Sequence, residues 1–147
     1  MTSNLWSGHG PVIADTSAWM TARRIPAARQ VMLDAVERGD IAWCWPVRYE
    51  LMIDARDEPA ILALDRTLDA LREIRVDWAT QREVLATMRE LASQDGHGSH
   101  RLPLADLTVA VAARTSGLDV LHFDRHFERL GALLDIRVWW LADPSRT

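Results

Sequence analysis

The sequence predicts one α/β domain with a mainly parallel central sheet and flanking helices. Two observations carry this. Short apolar or aromatic runs of strand length alternate with segments of helical period along the chain. The 147 residues, nearly half of them apolar, make one domain that can bury a core without metal or disulfide staples.

Taken in order, residues 1–10 are polar and contain glycine, and read as a loose extension. The domain proper is expected over 11–141, with 142–147 as a tail. Pro11 to Ala14 is a short apolar run ending at Asp15, a buried strand. Residues 26–38 follow helical periodicity through Ala27, Val31, Leu33, Ala35 and Val36, with Pro26 in the first turn and Gly39 as the stop. Ile41 to Trp45 reads as a second strand. Pro46 opens a helix to about Arg56, and 59–72 is amphipathic through Ile61, Leu62, Leu64, Leu68 and Leu71. Ile74 to Val76 suits a short strand, and 79–93 a helix. Gln94 to Arg101 carries two glycines and two histidines and reads as a loop. Leu104 to Thr115 is apolar nearly all round, which predicts a buried helix. A strand at Asp119 to Phe123, a helix over 125–134 and a strand at Ile136 to Leu141 complete the chain. The helix-rich middle, 46–93, is expected over one face of the sheet or beside it.

Composition excludes several functions. Cys44 is the only cysteine, so no intramolecular disulfide forms, as suits a reducing cytoplasm. Cys44 itself reads as a core residue. No apolar run approaches the roughly 20 residues that span a bilayer. Neither a charged n-region nor an apolar h-region opens the chain, so a cytoplasmic protein with no membrane contact is expected. All 17 basic residues are arginines, a bias that a GC-rich genome also produces. The lack of lysine excludes Schiff-base chemistry and the lysine-bearing phosphate loop. The net charge of −4 weighs against a nucleic-acid binder, although a cation held in an acidic site reverses the sign locally.

Four carboxylates stand out: Asp15, Glu50, Asp106 and Asp124. Ligands of parallel α/β sheets bind beyond the carboxyl ends of the strands. Asp15 closes the first strand and Asp124 the strand at 119–123. Glu50 lies about 6 Å into the helix that Pro46 opens. Asp106 lies in the first turn of the helix opening near Pro103, where the macrodipole favours negative charge. All four therefore reach one edge of the sheet. Clustered carboxylates repel one another unless cations neutralise them, and hard oxygen ligands suit Mg²⁺ or Mn²⁺. Such an ion activates water and stabilises charge developing on a phosphodiester. Each acid also has an ordinary reading: Asp15 and Asp124 as caps, Asp106 as a helix-start carboxylate, Glu50 as a surface residue.

Four stretches resemble the PIN-domain family, and within it VapC-type toxin ribonucleases of type II toxin–antitoxin systems. They are VIADTSAW (Val12 to Trp19), PVRYEL (Pro46 to Leu51), RLPLADL (Arg101 to Leu107) and LHFDRHFE (Leu121 to Glu128). Their set and order are specific, although no single stretch is. The resemblance implies a PIN-like fold with Asp15, Glu50, Asp106 and Asp124 as catalytic, metal-binding residues. It further implies Mg²⁺-dependent cleavage of structured RNA (tRNA or rRNA), growth arrest, a VapB-like antitoxin partner and a homodimer. Asp15, Asp106 and Asp124 are expected as direct ligands, with Glu50 acting through water or a second ion. Thr16 or Ser17 would support the first aspartate, with helix N-capping as the alternative.

Arg101, Arg125 and His122 are candidates for RNA contact, with Arg23 and Arg24 as further phosphate partners. His97, His100, His122 and His126 show no zinc-ligand spacing with Cys44. His97 and His100 lie on the loop before Asp106, placed to gate substrate or to do nothing. Trp43, Trp45 and Trp139 read as core, and Trp19, Trp78 and Trp140 as candidates for a partner surface. Two rivals to the nuclease remain. One is a non-catalytic PIN scaffold that binds RNA or protein. The other is a phosphatase or phosphoreceiver domain, which the missing lysine and Ser17, in place of a second acid, disfavour.

Overall fold

A computed structural model describes residues 4–95, 98 and 100–146. The His97 reading lies outside them. Five parallel strands form one sheet in the order β3-β2-β1-β4-β5, namely β1 Val12–Ala14, β2 Ile41–Trp43, β3 Arg72–Glu73, β4 Asp119–His122 and β5 Val138–Trp140. The helices are α1 Thr16–Arg24, α2 Pro26–Arg38, α3 Trp45–Asp54, α4 Glu58–Asp69, α5 Trp78–Asp95, α6 Leu104–Ser116 and α7 His126–Leu134.

Strand alternation sorts the core into two layers. Val12 and Ala14 pack with Ala18 and Ala22 of α1, Ala28, Met32 and Ala35 of α2, and Leu121. Ile13, between them, points to the other face with Val47 and Leu51 of α3, Val84 and Leu91 of α5, and Phe127 and Leu130 of α7. On that face α6 is buried continuously from Ala105 to Ala113. Of the helix-rich middle, α3 and α5 cover this face against α6, and α4 sits beside the sheet against α3 and β3.

Two glycines are required by the backbone. Gly39 caps α2 with φ 76°, a left-handed conformation that side chains resist. Gly131 lets α7 approach β5: an added Cβ would stand 3.0 Å from the Ile136 carbonyl oxygen and 3.1 Å from both Val138 methyls.

Several expectations change. No helix was expected over 16–24, yet α1 forms there. Asp15 caps it, and Ile25, held extended before Pro26, ends it. Asp15 and Asp124 follow their strands rather than close them, since β1 ends at Ala14 and β4 at His122. The third strand is Arg72–Glu73 rather than 74–76. Residues 4–6 are not loose: Trp6 N–H donates to Trp140 O at 2.9 Å, Trp140 N–H donates to Asn4 O at 2.7 Å, and the Trp6 side chain is buried. Trp45 is not core. It is the first residue of α3 and is 48% exposed. Trp140 is buried against His122 and Phe123 and offers no partner surface. Trp43 is core as expected, its Nε1–H donating to Leu68 O at 2.8 Å. Cys44 is fully buried, which pushes its thiol up to about 12 and keeps it protonated. Among the described residues no helix is long and apolar enough to cross a membrane.

Candidate metal centre

The sheet order creates the site. From β1 the chain steps outward to β2 and β3, then returns to lay β4 on the other side of β1. Between β1 and β4 the connections diverge, which opens a crevice at their carboxyl ends. Asp15 follows β1 and Asp124 follows β4. The two strands run in register from Val12↔Asp119 to Ala14↔Leu121, and Asp15 N–H donates to Leu121 O at 2.9 Å.

Asp15 is only 2% exposed. Its Oδ2 accepts from Ser17 N–H at 3.0 Å and Ser17 Oγ–H at 2.7 Å, while its Oδ1 is buried without a partner. Burial pushes this carboxyl above its ordinary value against the pull of the Ser17 bonds, and the Glu50 charge pushes it further. Ser17 Oγ also accepts from Phe123 N–H at 2.9 Å, so one hydroxyl ties the start of α1 to the end of β4. Thr16 acts elsewhere. Its hydroxyl donates to Glu50 Oε1 at 2.8 Å, turning the α3 carboxylate toward the same crevice. The helix cap is Asp15 itself, and Thr16 and Ser17 are the first two residues of α1, so the N-capping alternative for this pair is set aside.

Asp106, three residues into α6, is buried, and Asp124 is half-buried. Oxygens of these two acids and a ring nitrogen of His126 lie within 4.8 Å of one another. His126 Nδ1 stands 3.3 Å from Asp106 Oδ2 and 3.4 Å from Asp124 Oδ1, and its backbone N–H donates to Asp124 Oδ1 at 3.0 Å. Burial, then the charge of Asp15, raise the Asp106 carboxyl to about 7, with His126 pulling the other way and Asp124 adding to the rise. Asp15 and Glu50 stand outside the tight group but act on it: Glu50 on Asp15, and Asp15 on Asp106.

These residues fit a hard divalent cation. Their donors are mainly carboxylate oxygens, and the orphaned, buried Oδ1 of Asp15 has an unmet need that a cation satisfies.

His126 was missed as a site residue. Its signal was its place two residues after Asp124 at a helix start, which turns the ring back over the acids. His122 is corrected as an RNA contact. It is wholly buried between Phe127 and Trp140, which pushes its pKa down to about 4, and its Nδ1 accepts from Asp124 N–H at 3.1 Å. Arg23 is paired with Asp54 at 2.8 Å. Arg101 and Arg125 are exposed; Arg101 lines a cavity with His126, and Arg125 adjoins Asp124.

A profile of the PIN domain family matches residues 12–133. The chain is similar to Ribonuclease VapC18 of Mycobacterium tuberculosis, with 35% identity over 128 residues, 87% of this chain and 93% of that protein. Ribonuclease VapC21 of the same organism is 28% identical over 138 residues, 90% of this chain and 95% of its own length. In fold, DNA-bound VapBC from Salmonella typhimurium matches at TM-score 0.66 and 17% identity, covering 91% of this chain and 100% of that one. FitAcB from Neisseria gonorrhoeae matches at TM-score 0.63 and 18% identity, over 92% and 99%. The chain therefore belongs to the PIN-domain family and, within it, to the VapC group.

Proposed function

We propose that this protein is a metal-dependent endoribonuclease, the toxin of a VapBC-type toxin–antitoxin module, which cleaves structured RNA (tRNA or rRNA) in the cytoplasm and arrests growth. The observation that carries the reading is the convergence of Asp15, Asp106 and Asp124 at the β1/β4 crevice, with Asp15 Oδ1 buried and unpartnered. Those three would hold Mg²⁺, or Mn²⁺ in its place, with Glu50 beside them through Thr16. When bound, such an ion polarises the phosphodiester and lowers the pKa of water. The chain's own residues prepare for it. Ser17 fixes Asp15, and His122 fixes the Asp124 backbone. Asp106 holds a proton until higher pH or a cation removes it, and His126 Nδ1 faces both Asp106 and Asp124. Arg101 and Arg125, exposed beside the acids, supply phosphate contacts.

A VapB-like antitoxin is the partner this reading implies. An exposed apolar face supports it: Trp45, Tyr49 and Ile53 form a stripe along α3, with Trp78, Leu85 and Leu104 also exposed. Trp45, Leu85 and Leu104 line one groove of about 330 Å³. A homodimer, bringing two acidic sites into one groove, completes the proposal. Inducing the wild-type chain should arrest growth, and Asp15→Asn should relieve the arrest. Equal toxicity of the substituted protein would sink the proposal, and RNA ends mapped after induction would identify the target.

A further inference from the structure

A cavity of about 510 Å³ is lined by Arg24 and Ile25 at the end of α1, by Phe123, the residue before Asp124, and by Arg146. We infer that it is a nucleotide subsite, in which the base next to the scissile phosphate stacks on Phe123 while Arg24 and Arg146 hold the adjoining backbone. The inference rests on the ribonuclease reading and deepens it.

Position is the first support. Phe123 directly precedes Asp124, and its backbone N–H donates to Ser17 Oγ, the hydroxyl that also clamps Asp15. A base on this ring is therefore registered against two of the acids by one hydrogen-bonded unit. The ring itself is half-buried and braced edge-on by Trp140, with centroids 5.4 Å apart, so it is rigid enough for stacking.

Chemistry is the second. The lining pairs an aromatic and an aliphatic side chain with two guanidinium groups, which matches the base and phosphate of a nucleotide. Arg24 is exposed at the end of α1, where its guanidinium makes a long bond of 3.5 Å to Thr21 Oγ1. Arg146 pairs with Asp143 at 3.3 Å, but its side chain is 85% exposed, so water already screens that pair and a phosphate competes easily. The volume suits one nucleotide-sized group.

The test is steady-state cleavage of total tRNA and of rRNA in Mg²⁺ by wild type, Phe123→Leu, Arg24→Gln and Arg146→Gln. Phe123→Leu should raise KM about tenfold, with kcat and the Mg²⁺ midpoint unchanged, because base stacking is lost while apolar volume stays. Each arginine variant should raise KM and flatten the slope of log KM against log salt by about 0.7, the value for one single-strand phosphate contact. A purely structural role would not move that slope. Should Phe123→Leu unfold, the two exposed arginines carry the test alone. Wild-type cleavage with KM and salt slope unchanged in the variants overturns the subsite and leaves the ribonuclease standing. No cleavage by wild type in Mg²⁺ or Mn²⁺ overturns both.

Discussion

Replacing Asp15 by Asn should stabilise the metal-free protein while abolishing its activity. Asp106 is held near 7 instead of the usual 3.8. At 1.36 kcal/mol per tenfold change in proton affinity, ionising it in the fold costs about 4 kcal/mol. Burial is the largest cause and the Asp15 charge the next, so the share owed to Asp15 is about 1–2 kcal/mol. Asn keeps an oxygen for the Ser17 N–H and O–H bonds and places an amide where Oδ1 has no partner. The sign with pH follows from the raised value. The native state binds the Asp106 proton more tightly than the unfolded chain does, so that stability is complete below about pH 4 and is lost as pH rises through about 7. At about pH 5 Asp106 is protonated and Asp15 has no charge to repel there; at about pH 8 it has. Thermal unfolding in chelator should therefore show Asp15→Asn gaining on wild type by about 1–2 kcal/mol between those two pH values, or roughly 3–6 °C in Tm. Added Mg²⁺ should reverse the order, because wild type alone keeps the full ligand set. A stability difference that is the same at both pH values would refute the electrostatic account.

Other outcomes follow from the same geometry. His122, pushed down to about 4, contributes stability that is full above about pH 6.5 and lost as pH falls through 4, and urea titrations with His122→Asn should lose that acid limb. Ser17→Ala removes the hydroxyl bond to Asp15, keeps the backbone one, and leaves Phe123 N–H unpaired, costing about 2–4 kcal/mol, whereas Thr16→Val, which frees only Glu50, should cost about 1 kcal/mol or less; denaturant midpoints rank them. Gly131→Ala drives a methyl to 3.0 Å from the Ile136 carbonyl and should destabilise by about 1–3 kcal/mol, read by calorimetry.

The sheet and most helices were legible because buried parallel strands read as short apolar runs and the helices as period 3.6. Helix α2 and the buried α6 carried the clearest patterns. Helix α1 was not legible. Its nine residues open with Thr16 and Ser17 and end on Arg23 and Arg24, and what makes it a helix is the Asp15 cap and its packing on α2. Trp45 was misplaced because an aromatic run looks like a strand until Pro46 turns it into a helix start. Asp15 and Asp124 were legible as strand-end acids, but the strand order that sets them across one crevice is a tertiary fact. His126 and the division of labour between Thr16 and Ser17 depend on contacts between segments 20 to more than 100 residues apart. No local pattern encodes those.

The central claim is that the acids at the β1/β4 crevice bind a divalent cation on which RNA cleavage depends. Its most direct test is the initial rate of RNA cleavage against Mg²⁺ concentration for purified wild type and Asp106→Asn. The account predicts a saturable rise for wild type, background rates for the variant at every concentration, and no cleavage by either in chelator. Equal rates for the two proteins, or wild-type cleavage undiminished in chelator, would contradict it.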